Sequence, residues 1–157
     1  MIKNALGVIV ALAICFAVAG LGAYWTTEAI PTWYATLRKP SWNPPNWVFG
    51  PVWSILYAMM AVSAWLVWRR AEFEGARVAL AVFAVQLALN LGWSGVFFRL
   101  KQPGWAFAEI VLLWLVIAAT IVRFRRISAT AASLLVPYLL WVSFATALNA
   151  AIWRLNA

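Results

Sequence analysis

Residues 78–98 read VALAVFAVQLALNLGWSGVFF, a run with neither a charge nor a proline. As a helix rising 1.5 Å per residue, it crosses a hydrocarbon core about 30 Å thick. The run lacks the polar–apolar alternation of a barrel strand, and lipid offers no partner for an unpaired backbone amide or carbonyl, so a transmembrane helix is its remaining solution. Four further runs of spanning length accompany it, at 5–24, 47–68, 105–122 and 129–153. The expected fold class is all-α: an integral membrane bundle of five transmembrane helices, forming one domain over residues 1–157. The first run follows Lys3 and has the look of a signal peptide, but its length is that of a span, and it is read as a helix of the mature protein.

Composition agrees, with 66% of the 157 residues apolar and 12 Lys and Arg against 4 Asp and Glu. No water-soluble domain of this size hides so much apolar surface in one core. The net charge of +8 raises the question of nucleic acid, but the basic residues fall in short groups between apolar runs and form no stripe. No nucleic-acid partner is expected; the partner these charges imply is the lipid membrane. Lys3, Arg69, Arg70, Arg77, Arg123, Arg125 and Arg126 share the side of the N-terminus, against Arg38, Lys39, Arg99, Lys101 and Arg154 on the other. The positive-inside rule then places the N-terminus in the cytoplasm. A bacterial cell membrane is the favoured location, with an outer-envelope or mitochondrial outer membrane left open.

Histidine is absent and Cys15 is the single cysteine, which removes the usual general base and the commonest metal and haem ligand. No metal site and no required cofactor are expected. No acid–base or nucleophile constellation is present for ordinary turnover.

The connections at 69–77, 99–104 and 123–128 are short, so sequential helices are expected to lie as antiparallel neighbours. The connection at 25–46 is different. It carries Trp25, Trp33, Tyr34, Trp42 and a cluster of prolines from Pro31 to Pro45, too many rigid residues for a floppy linker. We expect an ordered lid loop, containing a short helix over 32–39 capped by Thr32 and then extended backbone at Pro40 and Pro44–Pro45.

Alternating helix direction assigns depth. Trp53 and Tyr57 of the second helix, the stripe Gln86, Asn90, Trp93 and Phe97 of the third, and Tyr138, Trp141, Ala145 and Leu148 or Asn149 of the fifth all fall in the half of the membrane beneath the lid loop. Glu109 of the fourth helix joins them. Amides and a carboxyl in hydrocarbon must face a bundle interior or a cavity, so an inward-facing polar–aromatic chamber is expected. Gln86, Asn90 and Asn149 fit interhelical hydrogen bonding as well as they fit ligand contact. Trp25, Trp47, Trp105 and Trp153 suit interfacial anchoring, whereas Trp53, Trp93 and Trp141 lie away from the belts and suit a pocket wall.

The loop run Trp33-Tyr34, Leu37-Arg38-Lys39-Pro40-Ser41-Trp42-Asn43-Pro44-Pro45 and the following Pro51-Val52-Trp53-Ser54-Ile55-Leu56-Tyr57 closely resemble the tryptophan-rich sensory protein and translocator protein family (TspO/MBR, the peripheral benzodiazepine receptors). Gln86-Leu87-Ala88-Leu89-Asn90 with Trp93-Ser94, and Pro137-Tyr138-Leu139-Leu140-Trp141 with Leu148-Asn149, are similar to its third and fifth helices. The resemblance implies a five-helix homodimer that binds porphyrins and related hydrophobic ligands under the first loop. Carried over by position, the ligand-binding residues are Trp33, Tyr34, Trp42, Pro44, Trp53, Tyr57, Asn90, Trp93, Phe97, Trp141, Ala145 and Leu148.

Three functions compete. The first is a receptor or sensor that stacks protoporphyrin among the tryptophans, with propionates on Arg38 or Lys39, linked to tetrapyrrole regulation or stress. The second is a light- and oxygen-dependent porphyrin-degrading enzyme with Trp33 and Trp141 as electron partners. The third is a porphyrin or sterol transporter, against which the odd number of spans and the missing inverted repeat both tell. Sterol is weakly supported, because Leu148-Asn149-Ala150-Ala151-Ile152-Trp153-Arg154 lacks the tyrosine of the cholesterol pattern found in animal members. A homodimer contact is expected at Ala81, Ala84 and Ala88 of the third helix.

Overall fold

The computed structural model describes residues 2–157, with side-chain surroundings from Asn4 onward; the side chain of Lys3 lies outside that set. Five helices are long and apolar enough to cross a membrane: α1 Ile2–Ala29, α2 Asn46–Trp68, α3 Ala76–Ser94, α4 Pro103–Arg125 and α5 Ala129–Asn156. A π-helical turn, Ile30–Tyr34, continues α1, and a second, Gly95–Arg99, continues α3.

The helix starts follow local chemistry. Pro103 opens α4 at a position where the missing N–H would have no intrahelical partner anyway. Ser128 caps α5 by accepting a hydrogen bond from the Ala131 amide at 3.2 Å. Gly75 precedes α3 with φ of 84°, a left-handed turn for which a residue without Cβ is suited.

The first helix departs from expectation. It does not end at Tyr24; helical backbone persists through Thr36, and only residues 37–45 form the lid loop. The Thr26, Thr27 and Thr32 hydroxyls donate to the carbonyls of Gly22, Ala23 and Glu28, one turn back. Thr32 therefore sits inside a continuing helix and caps nothing. Pro31 is accommodated by the wider π turn, at the point where its ring and missing N–H would disrupt an α-turn. Hydropathy marked where the hydrocarbon ends; the helix runs on past it.

The helices close a ring in the order α1, α2, α5, α4, α3, with α3 returning to α1. Sequential pairs are ring neighbours except α2 and α3, which approach least closely, so the expectation of adjacency fails for that pair. The turn between α2 and α3 instead crosses beneath the bundle, where Arg70 donates to the Ile127 carbonyl of the α4–α5 turn. Ser63 donates to the Ala131 carbonyl at 2.7 Å and ties α2 to α5.

Packing is unequal along the membrane normal. In the half holding the N-terminus, Met60, Val67, Ile117, Phe124 and Leu135 are fully buried, and Phe83 stacks on Phe124 at 5.9 Å. Leu6, Ile14, Leu21, Ile55, Val85 and Leu140 are exposed on the outside, a surface suited to acyl chains. Toward the lid the interior opens.

Candidate functional site

A cavity of about 500 Å³ lies between α1, α2, α3 and α5 at the lid-loop end of the bundle, with no residue of 37–45 in its lining, within the range of about 300–1,000 Å³ typical of small-molecule sites. Its walls are aromatic. Trp53 meets Trp141 edge-on at 6.5 Å and Tyr138 at 6.2 Å. Trp93 stacks on Phe97 at 5.4 Å across the chamber's α3 side, and Phe49 presents an edge to Trp141 at 6.0 Å.

The amides that the sequence left open between two roles are committed to the protein. Asn90 accepts from the Tyr57 hydroxyl at 2.6 Å and donates to the Tyr138 hydroxyl at 2.7 Å, joining α2, α3 and α5. Asn149 accepts from Trp93 Nε1 at 3.0 Å and donates to the Pro103 carbonyl at 2.8 Å. Gln86 is fully buried in the core, off the cavity, and donates to Met60 Sδ at 3.5 Å, while its Oε1 has no partner. Trp141 also lines the cavity, and its indole N–H is buried without a partner. A buried donor left unpaired is an unfavourable arrangement.

Of the residues singled out from the sequence, Tyr34, Trp53, Tyr57, Asn90, Trp93, Phe97, Trp141, Ala145 and Leu148 line this one cavity. Trp33, Trp42 and Pro44 do not. Trp33 leans edge-on against Phe97 at 5.6 Å and Trp42 against Phe144 at 5.7 Å, so each backs a wall residue from outside. Trp25 and Trp47, assigned from the sequence to interfacial anchoring, belong to α1 and α2, and Trp47 lines the cavity while remaining 74% exposed.

Glu109 also leaves the chamber. Its carboxylate lies against Gly92, where an added Cβ would come within 2.5 Å of Oε1, and it lines a shallow outer groove with Val96 and Trp105. The α4 register points it at the α3 backbone, a direction depth alone did not reveal. Among the described residues no cluster of three potential metal ligands occurs.

The sequence matches the TspO/MBR family over residues 11–154. The chain belongs to the TspO/MBR family. It is 44% identical to the tryptophan-rich protein TspO of Chlorobaculum tepidum, over 99% of both chains. It is 47% identical to the human translocator protein over 79% of this chain and 75% of that one. With the tryptophan-rich sensory protein of Cereibacter sphaeroides it shares 44% identity over 88% of this chain and 87% of the other.

In this TspO/MBR chain the lid is latched at both ends of the loop. The Tyr34 hydroxyl donates to Asn43 Oδ1 at 2.9 Å, and Lys39 holds its ammonium 4.7 Å from the Tyr34 ring centre. Asn156, at the end of α5, accepts from the Arg38 amide at 3.0 Å and donates to the Arg38 carbonyl at 2.9 Å. Sequence reading missed the α1 wall. Phe16, Ala19, Ala23, Thr26 and Ile30 all line the cavity at intervals of three or four residues.

Proposed function

We propose that this protein is a membrane receptor that takes a porphyrin, protoporphyrin IX above all, into the aromatic cavity beneath its lid and acts in tetrapyrrole sensing. The observation that supports this most is an aromatic wall whose two amides, Asn90 and Asn149, already bond within the protein, so that the wall presents mainly ring faces to a ligand. A flat, apolar ring system with a few acceptors matches such a wall. Lys39, beside Tyr34 at the roof, is the propionate partner in this reading. The relatives' names, sensory protein and translocator protein, suit a binding role. A bacterial cell membrane as location and a homodimer joined through α3 belong to the same proposal.

Titration of protoporphyrin IX into the purified protein in detergent is the test. Saturable quenching of tryptophan fluorescence is expected, with Trp53→Phe and Trp141→Phe each weakening affinity by about threefold to tenfold. Unchanged affinity in both variants would remove the cavity from porphyrin recognition.

A further inference from the structure

A second concavity, of about 440 Å³, lies on the outer surface where the end of α1 meets the α3–α4 turn. None of its charged groups touches the aromatic cavity. Glu28 and Thr32 come from α1 and its π turn, and Arg99 and Lys101 from the other side, with Trp25 between them.

The patch is held in shape by contacts that do not involve pairing of its charges. Trp25 packs on Gly95, where an added Cβ would stand 3.3 Å from the ring, so a larger residue there would push the indole outward. The Arg99 guanidinium sits 5.6 Å from the Trp25 ring centre and is oriented by it. Lys101 adopts φ of 57°, a left-handed conformation uncommon for lysine. Bonds from the Leu100 amide to Gly95 O at 2.9 Å and from the Gln102 amide to Val96 O at 3.1 Å hold that turn. Glu28 interacts with the hydroxyl of Tyr24, which also lines the patch. Two cations and one carboxylate thus face a common space at the end of two spans, next to an interfacial tryptophan, at the depth where lipid headgroups lie.

We propose that this patch binds the headgroup of an aminophospholipid, its phosphodiester between Arg99 and Lys101 and its primary ammonium on Glu28. The chemistry selects among lipids. A primary ammonium has three N–H donors for the carboxylate, whereas a choline group has none. A headgroup with negative charge alone meets Glu28 unfavourably, while the phosphate of either kind is drawn to the two cations. The acyl chains then run along the exposed apolar faces of α1 and α3.

Native mass spectrometry of the full chain, equilibrated in detergent with equal amounts of phosphatidylethanolamine, phosphatidylglycerol and phosphatidylcholine of identical acyl chains, reads the outcome. Phosphatidylethanolamine adducts are expected to dominate. Replacing Arg99 and Lys101 together by Gln lowers them by about tenfold to thirtyfold, and Glu28→Gln removes the preference over phosphatidylcholine. Arg154→Gln, the same charge lost elsewhere on that side, leaves the pattern unchanged. Equal retention of the three lipids, or equal loss in Arg154→Gln, would overturn the proposal. Soluble phosphoethanolamine at millimolar concentration is expected to leave the adducts in place; displacement by it would reassign the patch to a free phosphate ester.

Discussion

Asn90 shows what one amide does in a membrane interior. It accepts from Tyr57 and donates to Tyr138, so its loss strands two hydroxyls where no water replaces the bond. Asn90→Leu is expected to lower stability by about 2 kcal/mol, read as a fall in the thermal midpoint in detergent. In a Tyr57→Phe, Tyr138→Phe background the same change should cost less, because no stranded hydroxyl remains; an equal loss in both backgrounds would mean that packing, not polarity, carries the effect. At this scale the sequence exposed Trp53, Trp93 and Trp141, since a large polar-edged ring away from the interface is conspicuous in an apolar helix. It did not expose Phe16, Ala19 or Ala23 of the α1 wall. Those residues are equally at home against lipid and against a cavity, so nothing in their chemistry separates the two.

Among the elements, the lid is the one whose strength is testable. Its residues 37–45 form no helix and are fixed to the bundle by the paired bonds between Asn156 and the Arg38 backbone. Asn156→Ala is expected to raise the dissociation rate of a cavity ligand by about fivefold to twentyfold, at about 1 kcal/mol for each bond lost. Stopped-flow release of protoporphyrin IX measures this, and an unchanged rate would show that the lid does not limit exit. The sequence marked this region as special through its Trp and Pro content but misjudged its extent. Proline rules assume an α-turn, and the π turn at Ile30–Tyr34 absorbs Pro31 without ending the helix. Where a long helix bends or widens depends on what packs against it, here Phe97 beside Trp33 and Tyr34.

For the whole molecule, the ring order leaves one face of α3 outside. Ala81, Ala84 and Ala88 are exposed there, and small side chains let two backbones approach closely in lipid. If this face joins two copies, Ala84→Phe shifts the protein toward monomer in cross-linking of proteoliposomes, while the lipid-facing Leu140→Phe leaves the dimer intact; a dimer that survives Ala84→Phe places the interface elsewhere. Five spans, their alternation and the half of the membrane that holds the aromatic residues followed from sequence alone, because span length and the cost of an unpaired backbone in lipid leave few alternatives. Which helices are neighbours did not follow. That α2 packs on α5 and stands away from α3 depends on how side chains on facing surfaces interlock. The same packing turned Asn90 and Asn149 inward to bond with other helices, aimed Glu109 at Gly92 outside the chamber, and buried the Trp141 N–H without a partner. Periodicity puts a side chain on a face of its helix; only the assembled bundle decides what that face meets.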